Sequence, residues 1–412
     1  MNLDSSCKAS DGFDWKNGCW INEKAQKPDA EIIISGDWAP IRAFDEIIEN
    51  APESIYGNVL NVLRGSNLRI TNLECTLFGD TPVWKSGAVF KGRPEHIKGL
   101  TSVPFEIVTL ANNHVFDYGV DSFEKSLELL DKNSIRFLGA GMSANEAQAP
   151  LILNLKGIRI GIINFSEGED LTSAIDGPGV FGWDIDKVAR LTGEIRGKVD
   201  IIIVICHCGV EYIAFPPPYV TDAFKRIADA GANLIIGHHP HVPQGIEIYK
   251  GIPLCYSLGN FVFYQETDLL HRKMGYLVKA GLSRNGVSGI SVIPYEIGGT
   301  SLALLEGERL SMFFDNLQRI SAPLSDDISI RDAWNGFLRY YGTDGFKNEI
   351  DTLMKKLADE PKKGAAMFRN RIATMQHNQH WIDAMTRIIE GKIDESPDWA
   401  YELTTKWMTE KR

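Results

Sequence analysis

Asp200-Ile-Ile-Ile-Val-Ile-Cys206-His207 sets the reading of this chain: an unbroken run of β-branched and apolar residues that stops at an imidazole. Such a run lacks the alternation of a half-exposed strand, which marks a strand buried on both faces and hence a sheet covered on both sides. The same design recurs. Glu31-Ile-Ile-Ile-Ser35 precedes Asp37, Leu68-Arg-Ile-Thr-Asn-Leu73 precedes Glu74, Phe105-Glu-Ile-Val-Thr-Leu-Ala111 precedes Asn112-Asn113-His114, and Ile235-Ile-Gly237 opens onto His238-His239-Pro240-His241. Ligands of open α/β sheets gather at the carboxyl ends of the strands. Five strand ends therefore offer Asp, Glu, Asn and His side chains to one common rim of an α/β protein.

The histidines sharpen this expectation. Three of the nine fall within residues 238–241. Two side chains at i and i+2 on an extended backbone project to the same side, so His239 and His241 can face one metal-binding site while His238 takes an outer or structural role. Oxygen and imidazole donors together suit transition metals better than magnesium or calcium. Plainer readings exist for each residue. Asp37 could cap a helix, Asn112 and Asn113 could serve a turn, and Glu211 could be solvated. Asn260, inside the apolar block 256–263, reads as a tight-turn residue bordering the site, and His271 could enter the site as an acid, base or substrate contact. Cys206 and Cys208 fall on the strand face opposite His207 and read as small buried hydrophobes.

Taken together, Gly36-Asp37, Asn72-Leu-Glu74, Ala111-Asn-Asn-His114 with Asp117 and Gly119, His207-Cys-Gly-Val-Glu211, Gly237-His-His-Pro-His241 with Gln244-Gly-Ile-Glu247, and Tyr256-Ser-Leu-Gly-Asn-Phe-Val-Phe263 carry a resemblance. The chain resembles the CapA family, named for capsule and poly-γ-glutamate synthesis, within the calcineurin-like metallophosphoesterase superfamily. The resemblance implies a four-layered α-β-β-α sandwich holding two divalent ions (Mn2+, Zn2+ or Fe2+). It makes Glu74 the carboxylate shared by both ions, gives Asp37 and His241 to one and Asn113, His207 and His239 to the other, and places His114 beside them as proton donor. Asn112, Asp117, Glu211, His238, Asn260 and His271 remain candidates for outer or substrate contacts. The superfamily's Asp-x-His opening is broken here by Ala39, which leaves the first ion short of one ligand.

Three functional readings follow. The first is hydrolysis of a phosphoester or an anionic amide-linked substrate, in which the ions stabilise developing charge and His114 protonates the leaving group. The second is epimerisation of a peptide residue, with His114, Asp37 and His271 as candidates for moving the Cα proton. The third is a binding role without catalysis, as an accessory of polymer synthesis.

Composition narrows the partners. A net charge of −11 without a basic run argues against nucleic acid and anionic membrane as principal partners; the resemblance implies a small-molecule or peptide substrate of anionic character, for which the ions would supply the positive field, and the oligomeric state is left open. No apolar stretch approaches ~20 residues and the first ten residues lack a leader pattern, so the expectation is no membrane span and a cytoplasmic location. Six cysteines without metal spacing favour free thiols, although Cys7 and Cys19 flank an aromatic stretch that a cross-link could close. Residues 1–30 read as an irregular extension, 31–300 as the metal-binding domain, and 301–412 as a mainly helical module. In that module Phe346, Ile350, Leu353, Met354 and Leu357 form one apolar stripe, and Trp381, Ile382, Met385, Ile388 and Ile389 another; Trp334, Phe337, Tyr340 and Tyr341 are expected in its interior. Phe215-Pro-Pro-Pro-Tyr219 is expected as a rigid loop shaping the substrate cleft.

Overall fold

Side-chain alternation along Ile32-Ile33-Ile34 decides the layering. Ile32 and Ile34 join Leu68, Ile70 and Ile107 in a cluster with Ile160, Ile162, Ile203, Ile205 and Ile235, which lies between two sheets. Ile33 points the other way, with Val108, into a second cluster that includes Phe123, Leu127 and Leu130 from the helix Gly119–Lys132. The first sheet is thus packed on the second sheet on one face and on helices on the other.

The computed structural model describes residues 12–24 and 26–412. The first sheet runs, in spatial order, Cys19–Ile21, Gly286–Ile297, Met274–Ser283, Ala30–Trp38, Leu68–Leu73, Ile107–Thr109 and Arg136–Leu138, with Leu302–Leu304 paired to Gly286–Ile297. The second runs Ile246–Tyr249, Ile252–Cys255, Leu234–His238, Ile201–His207, Ile158–Ser166 and Leu151–Leu155. The helices Ile185–Ile195 and Pro218–Ala230 add Val188, Ile195, Val220 and Phe224 to the core around this second sheet. The result is the four-layered α-β-β-α sandwich. Both sheets keep a parallel centre: Ala30–Trp38, Leu68–Leu73, Ile107–Thr109 and Arg136–Leu138 in one, and Ile158–Ser166, Ile201–His207, Leu234–His238 and Ile252–Cys255 in the other. Parallel strands are joined by crossovers that run over a sheet face, and the other face here meets the second sheet, which is why their sequences are so uniformly apolar.

Several expectations change. Residues 19–21, within the segment read as irregular, form a strand antiparallel to Gly286–Ile297. Cys19 is disulfide-bonded, which departs from the expectation of free thiols, while Cys75, Cys206, Cys208 and Cys255 are buried thiols; Cys7 lies outside the described residues. The proline run does not form a cleft loop throughout. Pro218 opens the helix Pro218–Ala230 at a position where a missing N–H costs nothing, and Phe215 packs edge-on against Trp399.

The helical module comprises Gly307–Ser321, Asp327–Asp359, Pro361–Ala373, Met375–Ile389 and Asp398–Thr409, the second interrupted at Gly342 (φ 64°). Trp334 and Phe337 are buried in a small cluster with Leu338, Ala384 and Ile213 of the sandwich, whereas Tyr340 and Tyr341 are only half-buried. The two apolar stripes are less covered than expected: Met354 and Ile389 stand 53% and 85% exposed, because each helix is packed along one narrow side only. Among the described residues no helix is long and apolar enough to cross a membrane.

Candidate metal centre

All five predicted strand ends meet at one rim between the sheets. Asp37 is the penultimate residue of Ala30–Trp38, Glu74 follows Leu68–Leu73, and His207 and His238 end their strands. Local backbone irregularity aims them. The pairing of Ala30–Trp38 with Leu68–Leu73 slips between Ile34 and Asp37, and Gly36 lies so close to Gly259 that a Cβ there would sit 1.9 Å from its carbonyl oxygen. His239 (φ 98°) and His241 (φ 57°) both adopt left-handed backbone, so the strand ends at His238 and the extended geometry expected for the pair is not what joins them. Such conformations cost about 1–3 kcal/mol each in non-glycine residues and concentrate at functional sites.

Two fully buried groups of donors result, each with ligand atoms within 4.8 Å of one another: Glu74, His207 and His239 in one, Asp37, Glu74 and His241 in the other. Glu74 belongs to both. Asn113 Oδ1 joins the first at 3.0 Å from His207 Nε2, and His239 Nδ1 lies 3.0 Å from the same nitrogen. Glu211, exposed at the rim, brings its carboxylate within 4.8 Å of His239 and His241.

The electrostatics fit a cation. Asp37 and Glu74 are fully buried, and Asp37 Oδ2 and both Glu74 oxygens lack a hydrogen-bond partner. Burial pushes the Glu74 carboxyl well above the usual carboxylate range and the charge of Asp37 adds to this. Burial also opposes ionisation of Asp37, but His238 and His241 override it and hold Asp37 well below that range. His241 feels the same imbalance: burial disfavours its imidazolium, yet Glu74 and Asp37 raise its pKa to about 10. Two buried carboxylates with three of their four oxygens unpartnered, ringed by imidazoles, form a donor set to which divalent cations are matched.

Except for His238, whose ring nitrogens have no hydrogen-bond partner, the imidazoles and the Asn113 amide that face this cluster each contact a second group, as ligands generally do. His241 Nδ1 lies 2.9 Å from Asn260 Oδ1, so Asn260 is a positioning group rather than only a turn residue. His114 Nδ1 donates to Asp117 Oδ2 (2.7 Å), which turns Nε2 toward Glu74 Oε1 at 3.9 Å. Burial lowers the His114 pKa, with Asp117 opposing and Lys85 reinforcing the shift. Asn112 stays out of the cluster: its amide donates to Asn72 and Leu73 and accepts from the backbone of His114. His238 Nδ1 reaches 3.2 Å from Asp37 Oδ1, off the hydrogen-bonding direction, and so touches a candidate ligand directly. His271 is elsewhere. Its ring stacks on Trp407 at 3.5 Å and its Nε2 bonds Glu410, because the chain's last helix covers the stretch that the sequence shows as a polar connection.

Other residues were not singled out. Lys85 is buried and bonds the Asn113 carbonyl (2.6 Å) and Asp117 (2.7 Å), fixing the loop that carries His114. Glu169 accepts from Asn113 Nδ2 (2.8 Å) and Asn370 Nδ2 (2.7 Å), and His377 Nε2 is 3.2 Å away. Gln376 Oε1 lies 2.8 Å from His239 Nε2. Glu167 and Glu169 had a legible signal, since Ile158-Arg-Ile-Gly-Ile-Ile-Asn-Phe-Ser166 is another apolar run that ends in acids; Gln376 and His377 had none. A cleft of about 440 Å3 opens over the cluster, lined by His114, Asn113, His241 and Glu211 together with Arg42, Lys85 and Arg272.

The sequence model of the bacterial capsule synthesis protein PGA_cap matches residues 31–265. "PGA biosynthesis protein CapA" of Bacillus subtilis (strain 168) is 33% identical over 206 residues, 49% of this chain and 54% of that protein. "Capsule biosynthesis protein CapA" of Bacillus anthracis is 30% identical over 211 residues, 50% of this chain and 51% of that protein. "Probable polyglutamine synthesis accessory protein" of Mycobacterium tuberculosis (strain ATCC 25618 / H37Rv) is 28% identical over 225 residues, 50% of this chain and 59% of that protein. The chain thus spans about half the length of the relatives it matches.

Proposed function

From a chain that belongs to the PGA_cap family of bacterial capsule synthesis proteins, we propose a metal-dependent hydrolase that cleaves an anionic phosphoester or amide-linked substrate. The observation that carries this reading is the pair of buried carboxylates, Asp37 and Glu74, of which Asp37 Oδ2 and both Glu74 oxygens lack a hydrogen-bond partner, behind a cleft lined by Asn113, His114 and His241. Asp37, Glu74 and His241 would hold one divalent ion, and Glu74, Asn113, His207 and His239 the other. Bound there, such ions supply charge stabilisation at the attacked centre and acidify water.

The chain's own residues do the rest. Asp117 keeps one proton of His114 on Nδ1 and leaves the Nε2 lone pair facing the cleft, where it can take up a second proton and, from the imidazolium so formed, pass it to a leaving group. Lys85 holds the His114 loop from beneath by its bond to the Asn113 carbonyl. Arg42 and Arg272 stand on the cleft wall and bring positive charge to an anionic substrate, which a protein of net charge −11 otherwise repels. Arg272 is kept in place by lying over the ring of Tyr212, 3.6 Å from its centroid.

A role as a non-catalytic accessory of polymer synthesis is the second reading, favoured by the name of the M. tuberculosis relative. Peptide epimerisation loses one of its three proton-transfer candidates, since His271 is outside the cleft. The deciding experiment incubates Mn2+- or Zn2+-loaded protein with phosphomonoesters, phosphodiesters and γ-glutamyl peptides. Turnover that disappears on chelation supports the hydrolase; metal binding without turnover of any of the three favours the accessory role.

A further inference from the structure

The short connection between the helices Pro361–Ala373 and Met375–Ile389 turns at Thr374 directly against the candidate metal centre. It lies more than a hundred residues beyond the segment that the family model matches, residues 31–265. Three side chains from this elbow reach the site. Asn370 donates to Glu169 Oε1 and to Ser86 Oγ, and its own oxygen accepts the backbone N–H of Asp170 (2.9 Å). His377 Nε2 lies 3.2 Å from Glu169 Oε1. Gln376, itself buried, places Oε1 2.8 Å from His239 Nε2.

The last contact fixes a tautomer. A carbonyl oxygen only accepts, so His239 must carry its proton on Nε2, and Nδ1 is left with a lone pair. That Nδ1 points into the cluster, 3.0 Å from His207 Nε2 and within the donor group that includes Glu74. Metal-binding imidazoles generally donate their other N–H to a carbonyl or carboxylate, which sets ring orientation and basicity. Asn260 faces His241 in the same way from inside the sandwich; for His239 the partner comes from the helical module.

We propose that Gln376 is a positioning residue of the centre, so that the helical module completes the second ion's site through the Gln376–His239 hydrogen bond. This rests on the metal reading above. The module is then a working part of the site, and the Asn370–Glu169–Asn113 chain of bonds gives it a second hold on a candidate ligand: Glu169 accepts from Asn113 Nδ2 and leaves Oδ1 directed at His207.

The test is calorimetric titration of Zn2+ into the metal-stripped 412-residue chain: wild type, Gln376→Met, which is similar in length but lacks the oxygen, and Gln376→Glu, which retains an acceptor. Gln376→Met is expected to weaken one of two binding events by about 10–100-fold and leave the other, while Gln376→Glu keeps wild-type affinity. Should Gln376→Met lose its helical circular dichroism, Gln376→Asn, whose carbonyl stops one methylene short, takes its place with the same expected loss. Unchanged affinity in the variant lacking reach or oxygen, or an equal loss in Gln376→Glu, overturns the assignment of Gln376 alone. Absence of Zn2+ binding by the wild type overturns the metal reading and this inference with it.

Discussion

His207 Nε2 and His239 Nδ1 face each other across 3.0 Å, although 32 residues separate them in the chain. Two imidazole nitrogens so placed, with Glu74 Oε1 3.4 Å from the first, repel one another unless a proton or a cation stands between them. The mutual effect is visible in His207, whose protonation is strongly disfavoured, first by burial and then by the neighbouring His239.

His207→Ala and His239→Ala are each expected to lower the affinity for Mn2+ or Zn2+ by at least about tenfold, measured as metal retained after dialysis. Full retention in both variants removes these residues from the ligand set.

His114→Ala is expected to separate binding from chemistry. Its Nε2 stands 3.9 Å from Glu74 and its orienting bond goes to Asp117 rather than to another candidate ligand. Metal content should stay at the wild-type level while the rate falls by about 10²–10⁴-fold, the usual size of a general-acid contribution. A parallel loss of metal would show His114 to be a ligand instead.

Gly237→Ala tests the close approach that delivers the histidines. A Cβ at Gly237 would lie 1.9 Å from the carbonyl oxygen of Tyr256, on the neighbouring chain segment, where only backbone can yield. The substitution is expected to cost about 1–3 kcal/mol of stability in a denaturant titration, as overpacking does, and to weaken metal binding by moving His238–His241. Unchanged stability would mean that the two segments separate freely.

His380 is expected to make the helical module acid-sensitive. Burial among Trp334, Phe337 and Tyr341 lowers its pKa from 6.5 to about 4, against a smaller opposing pull from Glu349. Below the unfolded value the unfolded chain binds a proton that the folded chain refuses. The native contribution is therefore complete above about pH 6.5 and is lost as pH falls toward 4, by up to about 3 kcal/mol. His380→Phe should flatten the dependence of the urea midpoint on pH between 7 and 5; an equal slope in both proteins assigns the acid sensitivity to other groups.

How far the site could be read in advance follows from where its parts lie. Asp37, Glu74, Asn113, His207, His239 and His241 each terminate or follow an apolar run, and the strand-end rule puts such residues at one rim without further information. Glu169 obeys the same rule after Ile158–Ser166 and was legible in principle. Gln376 and His377 sit on a helix with no local mark; only the docking of the module beside Glu169 reveals them. His271 misleads for the converse reason. Its short-range surroundings are polar, and the partners that bury it, Trp407 and Glu410, arrive from the far end of the chain. The expected stripes of the module met a similar limit, since periodicity identifies a helix and its apolar side but not whether a neighbour covers it.

The strand Met274–Ser283 lies between Ala30–Trp38 and Gly286–Ile297, pairing Ile34 with Val278, Ile33 with Lys279 and Ile32 with Ala280. It enters the chain after the residues the family model matches, yet it occupies the middle of the first sheet. A fragment trimmed to residue 265 would strip one whole flank of the strand that carries Asp37 and present a row of bare amides and carbonyls to every other molecule in the tube. Such a template invites intermolecular β-pairing, so precipitation of that fragment would report the loss of a sheet partner and say nothing about its chemistry.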